Sequence, residues 1–369
     1  MKKILLSMIA ALLAISCANG SQDSVESESS SSCKSKIISG TYHTCGGLSL
    51  SGTVTTVAGD GTQGQVNGIG TNARIESPRG LTTDGDYLFW IDNSIPGDIR
   101  KMQISSNTVS DVFDASSSAN PSRNIMYYDS ALYVSGAHRI EKFTNILTAS
   151  ATKNIFAGSS ASGYTDAIGA SARFTGVGQV ISNADASIFF VIETSNNLIR
   201  KIEVSSVNVT TFAGSQGSSS IVNGSVSNSR LDYAQFGVFL NNKMYFSDQD
   251  GNDTQFIRKV DLDTNTVSTL AGYDANNTSV DGTGTQAAFT EIASMTTDGK
   301  YLYIGDDNCV RKVDTDSAQV TTLVGDCSGQ GYQDGSGTSV LFNTISGIVA
   351  TNDALYVTDQ NNKRIRKIQ

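Results

Sequence analysis

Ten side chains in this sequence carry charge at a spacing that could do chemistry. Asp92, Glu193, Asp248, Asp306 and Asp359 each close a short apolar and aromatic run, and Arg100, Arg200, Arg258, Arg311 and Arg366 follow in the same order. Five carboxyl groups at equivalent places could bind a metal or move protons. A plainer chemistry competes. An acid on one strand beside an Arg on the next satisfies both by a charge-assisted hydrogen bond. In one repeat Gly136 stands where the acid belongs and Glu141 where the Arg belongs. Loss of both members together is what a structural pair demands, so these ten residues are expected to be structural acid–Arg pairs.

Other routes to catalysis are thin. His43 and His138 are the only two histidines, which rules out a three-His zinc site. No G-x-S-x-G elbow is present, and G-x-G pairs such as Gly68-Ile-Gly70 do not open a helix after a strand. Trp90, Tyr87, Tyr301 and Tyr303 lie in strand-like runs and are expected to pack. No catalytic residue, metal site or cofactor is assigned.

The elements that must position these residues form a repeat. The phrase Val54-Thr-Thr-Val-Ala-Gly59 returns as Lys153 to Gly158, Val209 to Gly214, Val267 to Gly272 and Val320 to Gly325, with a worn copy at Val109 to Phe113. Such a period marks a repeat architecture. One unit runs Ile292 to Thr297, a turn at Asp298-Gly299, Tyr301 to Gly305, Val310 to Val313 and Val320 to Leu323. Those are four short antiparallel strands, the unit of a propeller blade. Each strand type occurs six times. The expected fold is an all-β, six-bladed β-propeller over residues 54–369. The copies begin on an outer strand and end on a third strand, so the N-terminal outer strand is expected to close the last blade and remove the open sheet edge.

These residues carry a resemblance. Leu355-Tyr-Val-Thr-Asp359 followed by Asn362-Lys-Arg-Ile-Arg-Lys367 resembles the NHL repeat. The resemblance implies a propeller that serves as a noncatalytic ligand- or protein-binding scaffold. The competing class is a metal-dependent hydrolase similar to the gluconolactonase-type propellers. It would need Glu, Asn and Asp from different blades on a central divalent ion, and Glu193 is the one Glu in a suitable place.

The two ends of the propeller differ. One has terse turns, such as Asp84-Gly85-Asp86 and Asn241-Asn242. The other carries a second repeated motif, Asn67 to Ile75, Asp166 to Phe174, Asn223 to Leu231, Asp281 to Phe289 and Asp334 to Phe342. Asx and Gly turn the chain tightly, and the closing apolar residue tucks under the loop. Long fastened loops at one end are where repeat proteins bind. Asp60, Asp98, Asp166, Asp250, Asp253, Asp281, Asp307 and Asp334 make this end a candidate ligand-binding rim. Acids there suit a cationic ligand or Ca²⁺. Asp248 to Lys259, however, fails as a calcium loop, with Gly251 misplaced and Lys259 where a bidentate Glu is needed.

The start of the sequence reads as an address. Lys2 and Lys3 precede an apolar run from Ile4 to Ile15 that is too short to span a bilayer. Leu13-Ala-Ile-Ser-Cys17 is similar to a bacterial lipobox, with Ala14 where Leu is usual. The resemblance implies a signal peptide over 1–17, acylation of Cys17, export, and a lipid anchor at the outer membrane or cell surface. The competing reading is ordinary cleavage near Ala18, with Cys17 lost. Residues 18–36 are rich in Ser and acids and read as a flexible tether; residues 37–53 form an N-terminal strap. Export favours disulfides. Cys33 with Cys45 and Cys309 with Cys327 is the most local of three connectivities. A formal charge of −9 argues against nucleic acid or anionic lipid as partner. A protein, peptide or glycan partner and a monomeric state are expected, with the membrane met through the N-terminal lipid alone.

Overall fold

The computed structural model describes residues 36–38, 40–43, 46–92, 97–113, 124–148, 151–218 and 220–369. Cys17, Cys33 and Cys45, with the signal and most of the tether, lie outside the described residues. Six antiparallel sheets form six propeller blades. From axis to rim, blade 1 comprises Pro78–Thr83, Tyr87–Asp92, Asp98–Gln103 and Thr108–Phe113. Blades 2 to 5 repeat this order, starting at Asn124, Val177, Gly237 and Ile292.

Blade 6 joins the two chain ends. Thr53–Ala58 pairs with Arg364–Ile368, Val54 opposite Ile368 and Thr56 opposite Arg366. Thr53 and Gln369 exchange two backbone hydrogen bonds of 2.9 Å. The ring is therefore closed by hydrogen bonds between the first propeller strand and the last.

The core is divided by the blades. Six apolar clusters each fill the space between two neighbouring blades. Trp90 packs fully buried between blades 6 and 1, and Phe89 and Ile91 on the other face of the same strand pack between blades 1 and 2. Alternation of side chains along a strand serves two cores at once, which is why the second strands are apolar throughout.

Two features were not expected from the sequence. First, five of the sheets have a fifth, two-residue edge strand: Gly68–Ile69, Ala167–Ile168, Gly224–Ser225, Gly282–Thr283 and Gly335–Ser336. Each comes from the Asx-Gly motif and pairs with the outer strand of the blade that follows. Second, every outer strand carries a β-bulge at the same place, as where Arg200 faces Thr211 while Ile199 faces Ala213. Adjacent apolar residues such as Phe212-Ala213 break strict alternation, and the bulge absorbs the extra residue.

The glycine that ends the repeated phrase has a steric cause. Gly214 has φ +92°, and a side chain there would collide with the carbonyl of Asn197 in the neighbouring loop. At the terse-turn end, a hairpin of Lys36–Ile38 and Thr41–His43 lies against the first strands of blades 1, 5 and 6. Thr83 donates its N–H to the Gly40 carbonyl at 3.2 Å.

Candidate functional site

The acid–Arg geometry is set by register. Arg100 lies opposite Trp90, two residues before Asp92, so acid and Arg share one face on a diagonal. The same diagonal recurs in blades 3 to 6. Arg100 Nη1 is 3.1 Å from Asp92 Oδ2, and Arg200 Nη1 is 2.6 Å from Glu193 Oε1. Arg258 and Asp248 approach to 2.8 Å, Arg311 and Asp306 to 2.8 Å, and Arg366 and Asp359 to 2.6 Å. All ten side chains are closed to solvent.

Each pair also holds the loop that arrives from the previous blade. In blade 5, Asp306 Oδ1 accepts the N–H groups of Thr290 and Glu291 at 2.8 and 3.0 Å. Arg311 donates to the carbonyls of Ala288 and Val280 and to Asp281. In blade 1, Asp92 accepts from Glu76 and Ser77, while Arg100 donates to Arg74 O and Asn67 Oδ1. Under the loop, Phe174, Phe289 and Phe342 place their rings against Arg200, Arg311 and Arg366. The pair, the ring and the edge strand together form a clamp between adjacent blades.

Burial sets the electrostatics. It pushes the carboxyls of Asp92, Glu193, Asp306 and Asp359 above their ordinary range, against the pull of their Arg partners. Asp248 is pushed up to about 6. The same desolvation lowers the pKa of Arg258.

The eight rim acids fall into two groups. Asp166, Asp281 and Asp334 form ion pairs with Arg200, Arg311 and Arg366 from the loop side. Asp166 and Asp334 also accept the outward N–H groups of Thr211 and Thr56. The other five serve their own loops. Asp60 pairs with Arg74 at 3.2 Å and accepts Thr62 N–H. Asp98 accepts from Gln65, Asp250 from the N–H groups of Asn252 and Thr254, Asp253 from Gln249, and Asp307 from Asn308. Burial, then the nearby Asp306, raises the Asp307 carboxyl. Among the described residues, no three His, Cys, Asp or Glu side chains come together in a way that could hold a metal. Glu193 is turned into its blade toward Arg200 and Asn196. Cys309 and Cys327 form a disulfide, S–S 2.00 Å, tying the first residue of blade 5's third strand to the loop entering blade 6.

The place that sequence reasoning missed is the axis. The first strands leave a small pocket there, on the scale of a single water molecule, lined by Gly80, Leu81, Asn124, Gln179, Phe236, Ser294, Met295, Ser346, Gly347 and Ile348. Every blade contributes and no carboxylate does. The signal was present as small or neutral polar pairs at the start of the first strands, such as Gly178-Gln179, Ala293-Ser294 and Ser346-Gly347.

No family model matches the sequence, and no curated protein matches it. Solved structures do. An auxiliary nutrient binding protein from Bacteroides ovatus is 16% identical with a TM-score of 0.65, over 87% of this chain and 77% of that one. Another from Bacteroides thetaiotaomicron is 15% identical with a TM-score of 0.64, over 86% and 76%. A protein of unknown function from the same species is 18% identical with a TM-score of 0.66, over 86% and 75%. This chain shares the propeller fold of these proteins.

Proposed function

We propose that the chain is a noncatalytic binding or scaffold module of the bacterial cell envelope, NHL-like in its repeat, that meets its ligand at the loop-rich end. One observation carries this reading. The buried acids that could have formed a reactive ring are each bound to an Arg and used to fasten a loop, and the axis is lined by neutral side chains. Among the described residues such a surface is rigid and shaped and presents no poised acid, base or nucleophile. The names of two of the similar structures, auxiliary nutrient binding proteins, agree with it. The lipobox-like Cys17 and the Ser-rich stretch after it would hold the propeller at the membrane.

A thermal-shift screen of the full chain tests the reading, using sugars, short peptides, peptidoglycan fragments, Ca²⁺ and EDTA. A specific ligand raises the melting temperature as its concentration exceeds Kd. Turnover of any compound, or binding abolished by EDTA, overturns the noncatalytic assignment. Metabolic labelling with palmitate checks the anchor: incorporation is expected in the native chain and absent in Cys17→Ser.

A further inference from the structure

Blade 6 differs from the other blades in its covalent path. In blades 1 to 5 the third strand runs through a short connection into its own outer strand, as from Cys309–Asp314 to Gln319–Val324. In blade 6 the outer strand Thr53–Ala58 comes from the far end of the propeller and meets Arg364–Ile368 with no short peptide link between them. Two strands joined only through the rest of the ring cost more closure entropy, and such a seam opens early. One loop staples it. Residues 325–342 enter blade 6, and their edge strand pairs Gly335 with Val54 and Ser336 with Thr53. Gly337 donates its N–H to the Gly52 carbonyl at 3.2 Å. Asp334 reaches both sides of the seam: Oδ2 accepts Thr56 N–H at 3.0 Å, and Oδ1 accepts Arg366 Nη2 at 2.7 Å. Tyr332 does the same, with its hydroxyl 3.2 Å from Thr56 Oγ1 and its ring 3.7 Å from the Arg364 guanidinium.

The disulfide falls on this stapling loop. Cys327 lies in it, just after the outer strand of blade 5, and its partner Cys309 begins the third strand of that blade. At the matching place in blade 6 stands Arg364, which holds the loop entering blade 1 through the Asp60 carbonyl at 2.9 Å. In blade 3, Asn197 holds the loop entering blade 4 through the Ser218 carbonyl. Hydrogen bonds do this work at those two blades, whereas the loop that staples the seam is fixed by a covalent bond. A cross-link over a sequence separation of 18 lowers the entropy gained when the loop lets go.

We propose that the Cys309–Cys327 disulfide is a redox latch on the seam of the ring. Oxidised, it holds the stapling loop and keeps the closure strand in place. Reduced, it lets loop and closure strand open together while the other blades stay folded. The reductant is a dithiol. Its thiolate attacks Cys327 Sγ, since Cys327 is half-buried and Cys309 fully buried. Cys309 leaves as a thiolate and takes a proton. The second thiol then releases Cys327, so two electrons and two protons pass to the cysteines and the dithiol becomes a disulfide. The latch is independent of any ligand at the loop-rich end.

Thr56 and Thr211 are matched probes. Each stands opposite the clamp Arg of its blade and gives its N–H to a motif Asp, but the loop over Thr211 contains no cysteine. Hydrogen–deuterium exchange of the full chain is measured without reductant, with dithiothreitol, and in the double variant Cys309→Ala with Cys327→Ala. Thr56 should exchange at least about tenfold faster in dithiothreitol, while Thr211 keeps its rate. The double variant should show the fast Thr56 rate without reductant and no further change with it, which separates this bond from Cys33 and Cys45. If the variant does not fold, partial reduction of the native chain carries the test: Thr56 should lose protection at a dithiothreitol concentration that leaves Thr211 protected. Equal acceleration of both amides would mean that the bond supports the whole ring. An unchanged Thr56 rate would mean that the loop holds the seam without it. Either result overturns the latch.

Discussion

Blade 2 and the other five blades are built on the same four strands, yet only blade 2 lacks the clamp. The chain between its outer neighbour, ending at Phe113, and its first strand, starting at Asn124, is about half as long as the loops entering other blades. Among the described residues its sheet has no fifth strand. Gly136 replaces the acid, its N–H closing a tight turn to the Arg139 carbonyl at 3.0 Å. Glu141 replaces the Arg and is paired within its own sheet with Arg139 at 2.7 Å and Lys153 at 3.8 Å. A shorter entering segment and the loss of the buried pair go together. The buried pairs anchor the long entering loops, and the blade entered by a shorter segment carries the inverted charge at that position.

The closure strand sets the upper bound on what any single device contributes. Deleting residues 53–58 removes Val54 and Ala58 from two cores and strips the last blade of its outer strand. We expect loss of soluble folded protein, seen as aggregation on expression and absence of a cooperative melt. A truncated chain that melts like the native one breaks the account of the ring.

Arg311→Met comes next. It leaves Asp306 buried beside three N–H and hydroxyl donors but without its cation. The expected cost is about 3–5 kcal/mol by denaturant titration. Glu141→Gln in blade 2 should cost about 1 kcal/mol, because Arg139 and Lys153 keep solvent access. Replacing both Arg311 and Asp306 with apolar residues of similar volume should recover most of the stability while loosening the loop they fasten. Equal costs for Arg311→Met and Glu141→Gln would erase the distinction between clamped and unclamped blades.

The clamp also predicts an acid-side stability maximum. Asp248 has an ordinary pKa of 3.8 and is raised to about 6 in the fold. Between those values the folded chain holds a proton that the unfolded chain releases. Its contribution is complete below pH ~4 and falls as pH rises through ~6, by at most about 3 kcal/mol. The raised carboxyls of Asp92, Glu193, Asp306 and Asp359 act in the same direction. The lowered carboxyls of Asp60 and Asp314 lose their contribution only at more acid pH. Melting temperature should therefore be higher at pH 5 than at pH 7.5, and Asp248→Asn should flatten that slope. A native slope of the opposite sign would show that the Arg partners outweigh desolvation.

Much of the ring was legible because its information is local and repeated. The blade count, strand order and terminal closure follow from Val-Thr-Thr phrases and Tyr-rich second strands that alternate with turns. The loops were legible as a motif but not as edge strands, because two residues of pairing leave no periodic trace. Their partner lies some 40 residues on in sequence, as with Ala167 and Val209. The rim acids showed the limit most clearly. Asp166, Asp281 and Asp334 read as free carboxylates, whereas each meets an Arg on a blade strand about 30 residues away. Sequence spacing gave the charge and withheld the partner. The axial pocket was hidden for a related reason: it is assembled from one to three neutral residues per blade, none informative alone.

The finest comparison between the two kinds of blade is a single amide. Thr211 and Ile155 occupy matching places on their outer strands, opposite Arg200 and Glu141. The Thr211 N–H points out of the sheet and is captured by Asp166 Oδ2 at 3.1 Å. Blade 2 has no motif Asp to offer, and Ile155 is 49% exposed. An outer-strand N–H that no motif Asp accepts is more open to water. The Ile155 amide should exchange at least about tenfold faster than that of Thr211, a difference of about 1.4 kcal/mol in local protection. Asp166→Ala should bring Thr211 to the rate of Ile155 and leave Ile155 unchanged, since the two strands share no clamp. Protection of Thr211 that survives this substitution would mean that the two-residue edge strand alone guards the blade, and that the Asp serves only the Arg behind it.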